Sequence, residues 1–211
     1  MKETCENKRA AAGFSLIELL IAMTIMLVIL GLVSTLFSKS FSTRQRESSR
    51  ADALTAAQAA LNVISREVAN SGYGLINNGI VAVDSNSEKL HFLSNTTNSN
   101  AAVTDPGEDI TYFYDSNTKS ILRYDANGVG VGSPQTSIII NRISRVKFQY
   151  FDYSGASSTA TESNPPTNNT GRVRVTITIN LEDVKGQISN QSVVLVSDIT
   201  LRNSDYMLQQ Y

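Results

Sequence analysis

Residues 14–33, FSLIELLIAMTIMLVILGLV, form a run of 20 residues carrying a single charge, Glu18. Twenty helical residues at about 1.5 Å rise span roughly the 30 Å hydrocarbon core of a bilayer. The run is apolar on every side rather than along one stripe, which argues against the core-facing helix of a soluble protein. A secretory signal peptide would carry a shorter apolar stretch of about 7 to 15 residues and end at a small-residue cleavage site. Here the run is longer and flows into further helix-forming sequence, so it reads as a retained membrane helix.

The segment before it is short and polar, and Lys2, Lys8 and Arg9 favour a cytoplasmic leader. Lys39, Arg44 and Arg46 follow the helix, so the orientation rests partly on the leader being too short to be a domain. Glu18 is the anomaly. A carboxylate at the centre of a membrane helix costs about 2.5 to 3.5 kcal/mol, and intramembrane charges usually have partners. Glu18 lies four residues inside Phe14, where a headgroup-level position lowers that cost.

The stretch Gly13-Phe14-Ser15-Leu16-Ile17-Glu18-Leu19-Leu20 resembles the class III signal of type IV pilins and type II secretion pseudopilins. The conjunction of glycine, aromatic, hydroxyl residue, two aliphatics, glutamate and a long apolar run is demanding. The resemblance implies that a prepilin peptidase cuts between Gly13 and Phe14 on the cytoplasmic face and methylates the new N-terminus at Phe14. It implies that Glu18 pairs with the N-terminal amine of a neighbouring subunit. Such a pair neutralises two charges that are each costly alone in a dry filament core, and it sets the axial register. The implied partners are the peptidase, other major and minor pilins met through the N-terminal helix, and the membrane. The implied location is the bacterial inner membrane, crossed once, before assembly into a periplasmic or cell-surface filament.

Gly31 is the only glycine in 14–71, and no proline occurs before Pro106, although some relatives bend this helix with one. Residues 47–69 are rich in helix formers. Leu54, Leu61, Ile64 and Val68 make one apolar stripe, with Gln58, Asn62, Ser65 and Arg66 on the face between them. Asn70, Ser71, Gly72 and Gly74 then stop the helix. The sequence therefore divides into a leader (1–13), a transmembrane or filament-core helix (14–37), its amphipathic continuation (38–71) and a β-rich globular domain (72–211). The polar stretch 38–50 is a candidate joint.

Alternation of Val173, Val175, Ile177, Ile179 and Leu181 with Arg174, Thr176, Thr178 and Asn180 predicts a half-buried strand, as does 146–151. Further strands are expected at 79–84, 88–94, 109–115, 119–125, 136–141 and 191–202. A turn is expected at Asn127-Gly128, and loops at 94–108 and 154–171. The expected class is α+β, a pilin-like long helix laid across an antiparallel sheet. Two segments resemble the PilW-type minor pilins, relatives of the J-type minor pseudopilins: the helix end Ile64 to Gly74 and the final strand ending Ile199-Thr200-Leu201-Arg202-Asn203. The lack of a cysteine pair bracketing a C-terminal loop points the same way.

Other chemistry finds little support. Net charge is −1, which gives no basic footprint for nucleic acid. The one cysteine, Cys5, precedes the expected cut, so the mature chain would hold no disulfide or thiolate metal site. The one histidine, His91, flanked by Leu90 and Phe92, reads as a half-buried strand residue. No nucleophile elbow, zinc-protease motif or phosphate loop is present, so no enzyme and no cofactor are expected. Asp105, Glu108 and Asp109, and Asp125 with Asn127, lack the spacing of a calcium hand and read as solvated loop acids. The aromatics at 112–114 and 148–153 read mainly as core. The competing functions are a pilus subunit, a type II secretion pseudopilin, and a membrane-anchored periplasmic binding protein that does not polymerise.

Overall fold

The computed structural model describes residues 13–97, 102–154, 158–181 and 191–210. The chain divides into two compact units, Met1–Arg46 and Glu47–Tyr211. A helix α1, Leu16–Ala69, runs unbroken through that boundary. The absence of proline and the near absence of glycine, read above, permit this continuity. In the first unit every described side chain from Leu16 to Ser40 is exposed.

The second unit holds the end of α1 and eight strands: β1 (Lys89–Leu93), β2 (Asp109–Asp115), β3 (Ser120–Gly130), β4 (Ser133–Ile140), β5 (Ile143–Tyr153), β6 (Ala160–Ser163), β7 (Thr170–Asn180) and β8 (Ser192–Thr200). They form two antiparallel sheets, β1-β2-β3-β4 and β6-β5-β7-β8. The fold is thus α+β as expected, but with two sheets in place of one. Ala57, Ala60, Leu61, Ile64 and Val68 bury one stripe of α1. That stripe meets Leu90, Phe92, Ile110 and Tyr112 of the first sheet, and Val146, Phe148, Tyr150, Val173, Val175 and Ile177 of the second, in a single core. Ala57 and Ala60 complete the stripe where Leu54 was expected, because close approach of helix and sheet favours the smaller side chain; Leu54 is only half-buried.

Local expectations fail in three places. Residues 79–84 are not a strand: Ile80 makes an isolated bridge to Phe92, and Ala82–Asp84 is a 3-10 turn. The turn expected at Asn127-Gly128 lies at Gly130–Gly132 instead, because β3 is irregular between Asp125 and Gly130 and carries the chain further before reversing. The polar segment 154–171 contains β6, paired to the end of β5 through Tyr150 to Tyr153. Pairing along a longer neighbour there overrides the weak strand propensity of the segment.

Two polar clusters fasten the helix end. Glu67 of α1 accepts from the Tyr112 hydroxyl at 2.6 Å and from Arg123 Nε at 2.9 Å. Burial, then the Glu67 carboxylate, pushes the Tyr112 phenol well above its ordinary range. Burial would lower the Arg123 pKa, but the Glu67 hydrogen bond and charge outweigh it and leave the guanidinium more firmly protonated. Glu67→Ala leaves both groups short of an acceptor. It is expected to lower the unfolding free energy by about 2–4 kcal/mol, read from urea denaturation, with Glu67→Gln retaining part of that. Just beyond the helix, Ser71 donates to the Asn78 carbonyl at 2.6 Å, and Asn78 Nδ2 donates to the carbonyls of Thr167 and Thr170, both at 2.9 Å.

Candidate processing and assembly site

Gly13 to Ser15 precede the helix in non-helical backbone, and Gly13 and Phe14 are both exposed. Phe14 leaves 89% of its surface free. A Cβ built on Gly13 would meet nothing within 4 Å. The peptide bond between them is therefore open and unhelical, the form in which a protease can take a chain into an extended cleft.

Ser15 begins the helix: its carbonyl accepts from the Leu19 N–H at 3.2 Å. Its own N–H donates to Glu18 Oε2 at 3.1 Å. This is one arm of a capping box, in which a glutamate three residues into the helix satisfies an orphan donor at its start. A carboxylate in the first turn also complements the positive end of the helix dipole. Glu18 thus has a partner within its own chain. The Ser-x-x-Glu spacing at 15–18 was visible in the sequence, and its local use was missed beside the intermolecular one.

From Leu19 to Phe37 the helix offers little that needs water. Thr24 Oγ1 donates to the Ile21 carbonyl at 2.8 Å and Thr35 Oγ1 to the Leu32 carbonyl at 2.7 Å. Hydroxyls folded back on the backbone in this way remove the desolvation cost of a polar group in an apolar medium. Around them Leu16, Ile17, Leu20, Met26, Leu27 and Val28 are each more than half exposed. Contiguous apolar surface on this scale marks a membrane or partner-helix contact. By length and composition α1 is able to cross a membrane.

The acids weighed for calcium are placed differently from what the sequence suggested. Glu108 and Asp125 are buried, at 0% and 3% exposure, rather than solvated. Glu108 accepts from the backbone of Thr97 at 3.0 Å and Asp105 at 3.1 Å, and Asp125 accepts from the Gly107 N–H at 2.8 Å and the Asn127 N–H at 3.1 Å. They staple loops by taking backbone donors. Asp109 turns away to His91. That residue sits on β1 as expected, but its ring has partners from two other elements: Nδ1 lies 2.9 Å from Asp84 and Nε2 lies 2.8 Å from Asp109. A hydrogen bond from Lys89, reinforced by its charge, holds the Asp84 carboxyl below its usual range. Among the described residues no group of three or more histidines, cysteines and acids is placed to hold a metal ion. Of the aromatics, Tyr112, Phe148 and Tyr150 are core, while Phe113, Tyr114, Phe151 and Tyr153 are half-buried.

Residues 8–34 match the family model for the prokaryotic N-terminal methylation motif. The matched span contains Gly13, Phe14, Glu18 and the whole apolar run. No curated protein and no solved structure matches the chain. The motif is that of type IV pilin-like proteins, and together with the exposed apolar helix it fits membrane anchoring before assembly.

Proposed function

We propose that this chain is a minor pilin subunit of a type IV pilus, cut between Gly13 and Phe14, methylated on Phe14, and packed into the filament through α1. The observation that carries this is the coincidence of the methylation motif with an open Gly13-Phe14 bond and an apolar helix whose sides are free. Prepilin peptidase is the processing partner, and other pilins are the neighbours. The subunit waits in the inner membrane before it enters a filament.

Glu18 has two uses in this scheme. Before the cut its carboxylate caps the helix by accepting from Ser15. After the cut it faces a new ammonium on Phe14, that of its own chain or of a neighbour, and the neighbour's pairing fixes the register of packed helices. The PilW-type assignment draws on the helix end at 64–74 and the strand end at 199–203. A type II secretion pseudopilin is the other filament subunit the motif fits.

Chain recovered from cells is expected to begin at methylated Phe14, read by mass spectrometry of its N-terminal peptide. Glu18→Ala is expected to insert normally but to enter sheared filaments at a level about tenfold lower, as loss of about 1.4 kcal/mol at each helix contact gives. Normal incorporation would remove the register role. Absence of the wild-type chain from filaments would favour a membrane-anchored protein that does not polymerise, and crosslinks to secretion pseudopilins would identify the other filament.

A further inference from the structure

On the outer face of the first sheet, His91 of β1, Thr111 of β2 and Tyr124 of β3 lie side by side in register. With Asp84, Lys89, Asp109, Phe113 and Ala126 they line a concave cavity of 370 Å³. Its floor and walls differ in kind. Thr111 is 6% exposed, yet among the described residues its hydroxyl has no hydrogen-bond partner. That hydroxyl is therefore free to bond what enters the cavity, as donor or as acceptor. Phe113 and Tyr124 contribute half-buried rings, Phe113 directly across from Lys89 in the strand pairing. Asp84, His91, Asp109 and Lys89 make a linked polar edge.

We infer that this cavity binds a neutral polyhydroxylated ring, a saccharide unit. Two carboxylates stand against one ammonium and one imidazole, so the edge sums to −1 with the ring neutral and to zero with it protonated. Both carboxylates are already engaged, Asp84 by Lys89 and His91 and Asp109 by His91, so an added ion would have to compete with those contacts, while a ring of hydroxyls finds both acceptors and donors. The carboxylate oxygens accept, the ammonium donates, and the Thr111 hydroxyl does either. The aromatic side chains suit the apolar C–H face of the same ring. The volume falls in the range of small-ligand sites, and the mix of apolar wall with a few convergent polar groups is their usual construction. Asp84 and Asp109 are already held by His91 at 2.9 Å and 2.8 Å, so the acceptors are fixed before a ligand arrives and little ordering is left to pay at binding.

The same geometry explains why a metal does not fit. Both ring nitrogens of His91 are turned to carboxylates on opposite sides, so the imidazole and the two acids do not converge on one point. This inference does not rest on the filament reading, since an anchored subunit outside a filament would present the same face.

The test uses the full chain in detergent micelles with a phosphocholine headgroup, so that no sugar-headed detergent competes. Saturation-transfer NMR is recorded with lactose, with N,N′-diacetylchitobiose and with spermidine. Transfer is expected to the C–H protons of at least one of the two saccharides. It should weaken about tenfold in Phe113→Ala and Tyr124→Ala, the effect of losing about 1.4 kcal/mol of affinity. Thr111→Val, which keeps the shape of the floor and removes the hydroxyl, should weaken it several-fold with the unfolding midpoint unchanged. Failure of both saccharides to receive transfer overturns the inference. So does transfer that survives Thr111→Val at full strength in folded protein, or binding of spermidine in place of the sugars.

Discussion

A Gly13→Val chain is expected to accumulate uncut, beginning at Met1 rather than at methylated Phe14, with normal insertion and a normal helix. The structure separates this from misfolding. Gly13 has no atom within 4 Å of a built Cβ, and its backbone is not in the left-handed region, so the chain itself has no need of glycine there. Any requirement lies in the enzyme that reads the site, where a branched side chain would obstruct an extended backbone. A slowing of at least about tenfold, a barrier rise of about 1.4 kcal/mol, is the expected minimum, and Gly13→Ala should fall between the variant and wild type. The measurement is the ratio of the two N-terminal peptides in membranes. Maturation of the valine chain at the wild-type rate would sink the assignment of this bond as the cut.

The second large effect is expected at Gly79, in the turn after α1. Its φ is +75°, and a Cβ there would lie 2.2 Å from the Gly72 nitrogen and 2.3 Å from the Leu93 oxygen. Those two atoms are hydrogen-bonded to each other at 2.9 Å, and the Gly79 carbonyl itself accepts from the Leu93 N–H at 2.8 Å. A methyl group would therefore sit inside a backbone hydrogen bond joining the helix end to the strand that follows, next to the buried Asn78 cluster. Positive φ alone costs a non-glycine residue about 1–2 kcal/mol. Displacing both backbone contacts takes Gly79→Ala beyond about 4 kcal/mol, a large share of the 5–15 kcal/mol typical of a domain. Gly107→Ala is the matched control. Its φ is +87°, but a Cβ there meets open space, so only the conformational part is lost. Urea unfolding followed through the near-ultraviolet dichroism of the tyrosines should show Gly79→Ala destabilised by more than about 4 kcal/mol and Gly107→Ala by about 1–2 kcal/mol. Equal shifts at the two positions would show that backbone crowding is not what holds this turn.

Periodicity carried most of the architecture that could be read in advance. The alternation in 173–180 and 146–150 is realised in β7 and β5, which pair Val146 with Ile177 and Phe148 with Val175 on the buried face. The helix was legible from its composition and its breakers, and it ends at Ala69. Two classes of feature were not legible. One is partnership at long sequence distance: His91 meets Asp84 and Asp109 only because β1 and β2 pair, and nothing near residue 91 announces the second acid. The other is buried polarity. Glu108 and Asp125 look like surface acids because their partners are backbone N–H groups, which leave no mark in the sequence. Gly13, Phe14 and Glu18 were recognisable as a motif, while the capping bond from Ser15 to Glu18 is a matter of geometry. The open hydroxyl of Thr111 is likewise invisible until its neighbours across the sheet are known.

The fastening of the helix end also bears on mechanical load. The carbonyl of Ala69, the last residue of α1, accepts from the Arg202 N–H at 3.1 Å, and the Ser71 carbonyl accepts from Asn203 Nδ2 at 3.1 Å. Gly72 N–H donates to Leu93. One helix terminus is thus tied to the segment that follows β8 and to the end of β1, which belong to different sheets. A load on the helix end would therefore be shared between the two sheets rather than fall on one. With Cys5 the one cysteine of the sequence, no intrachain disulfide takes part in that sharing, and it falls to hydrogen bonds.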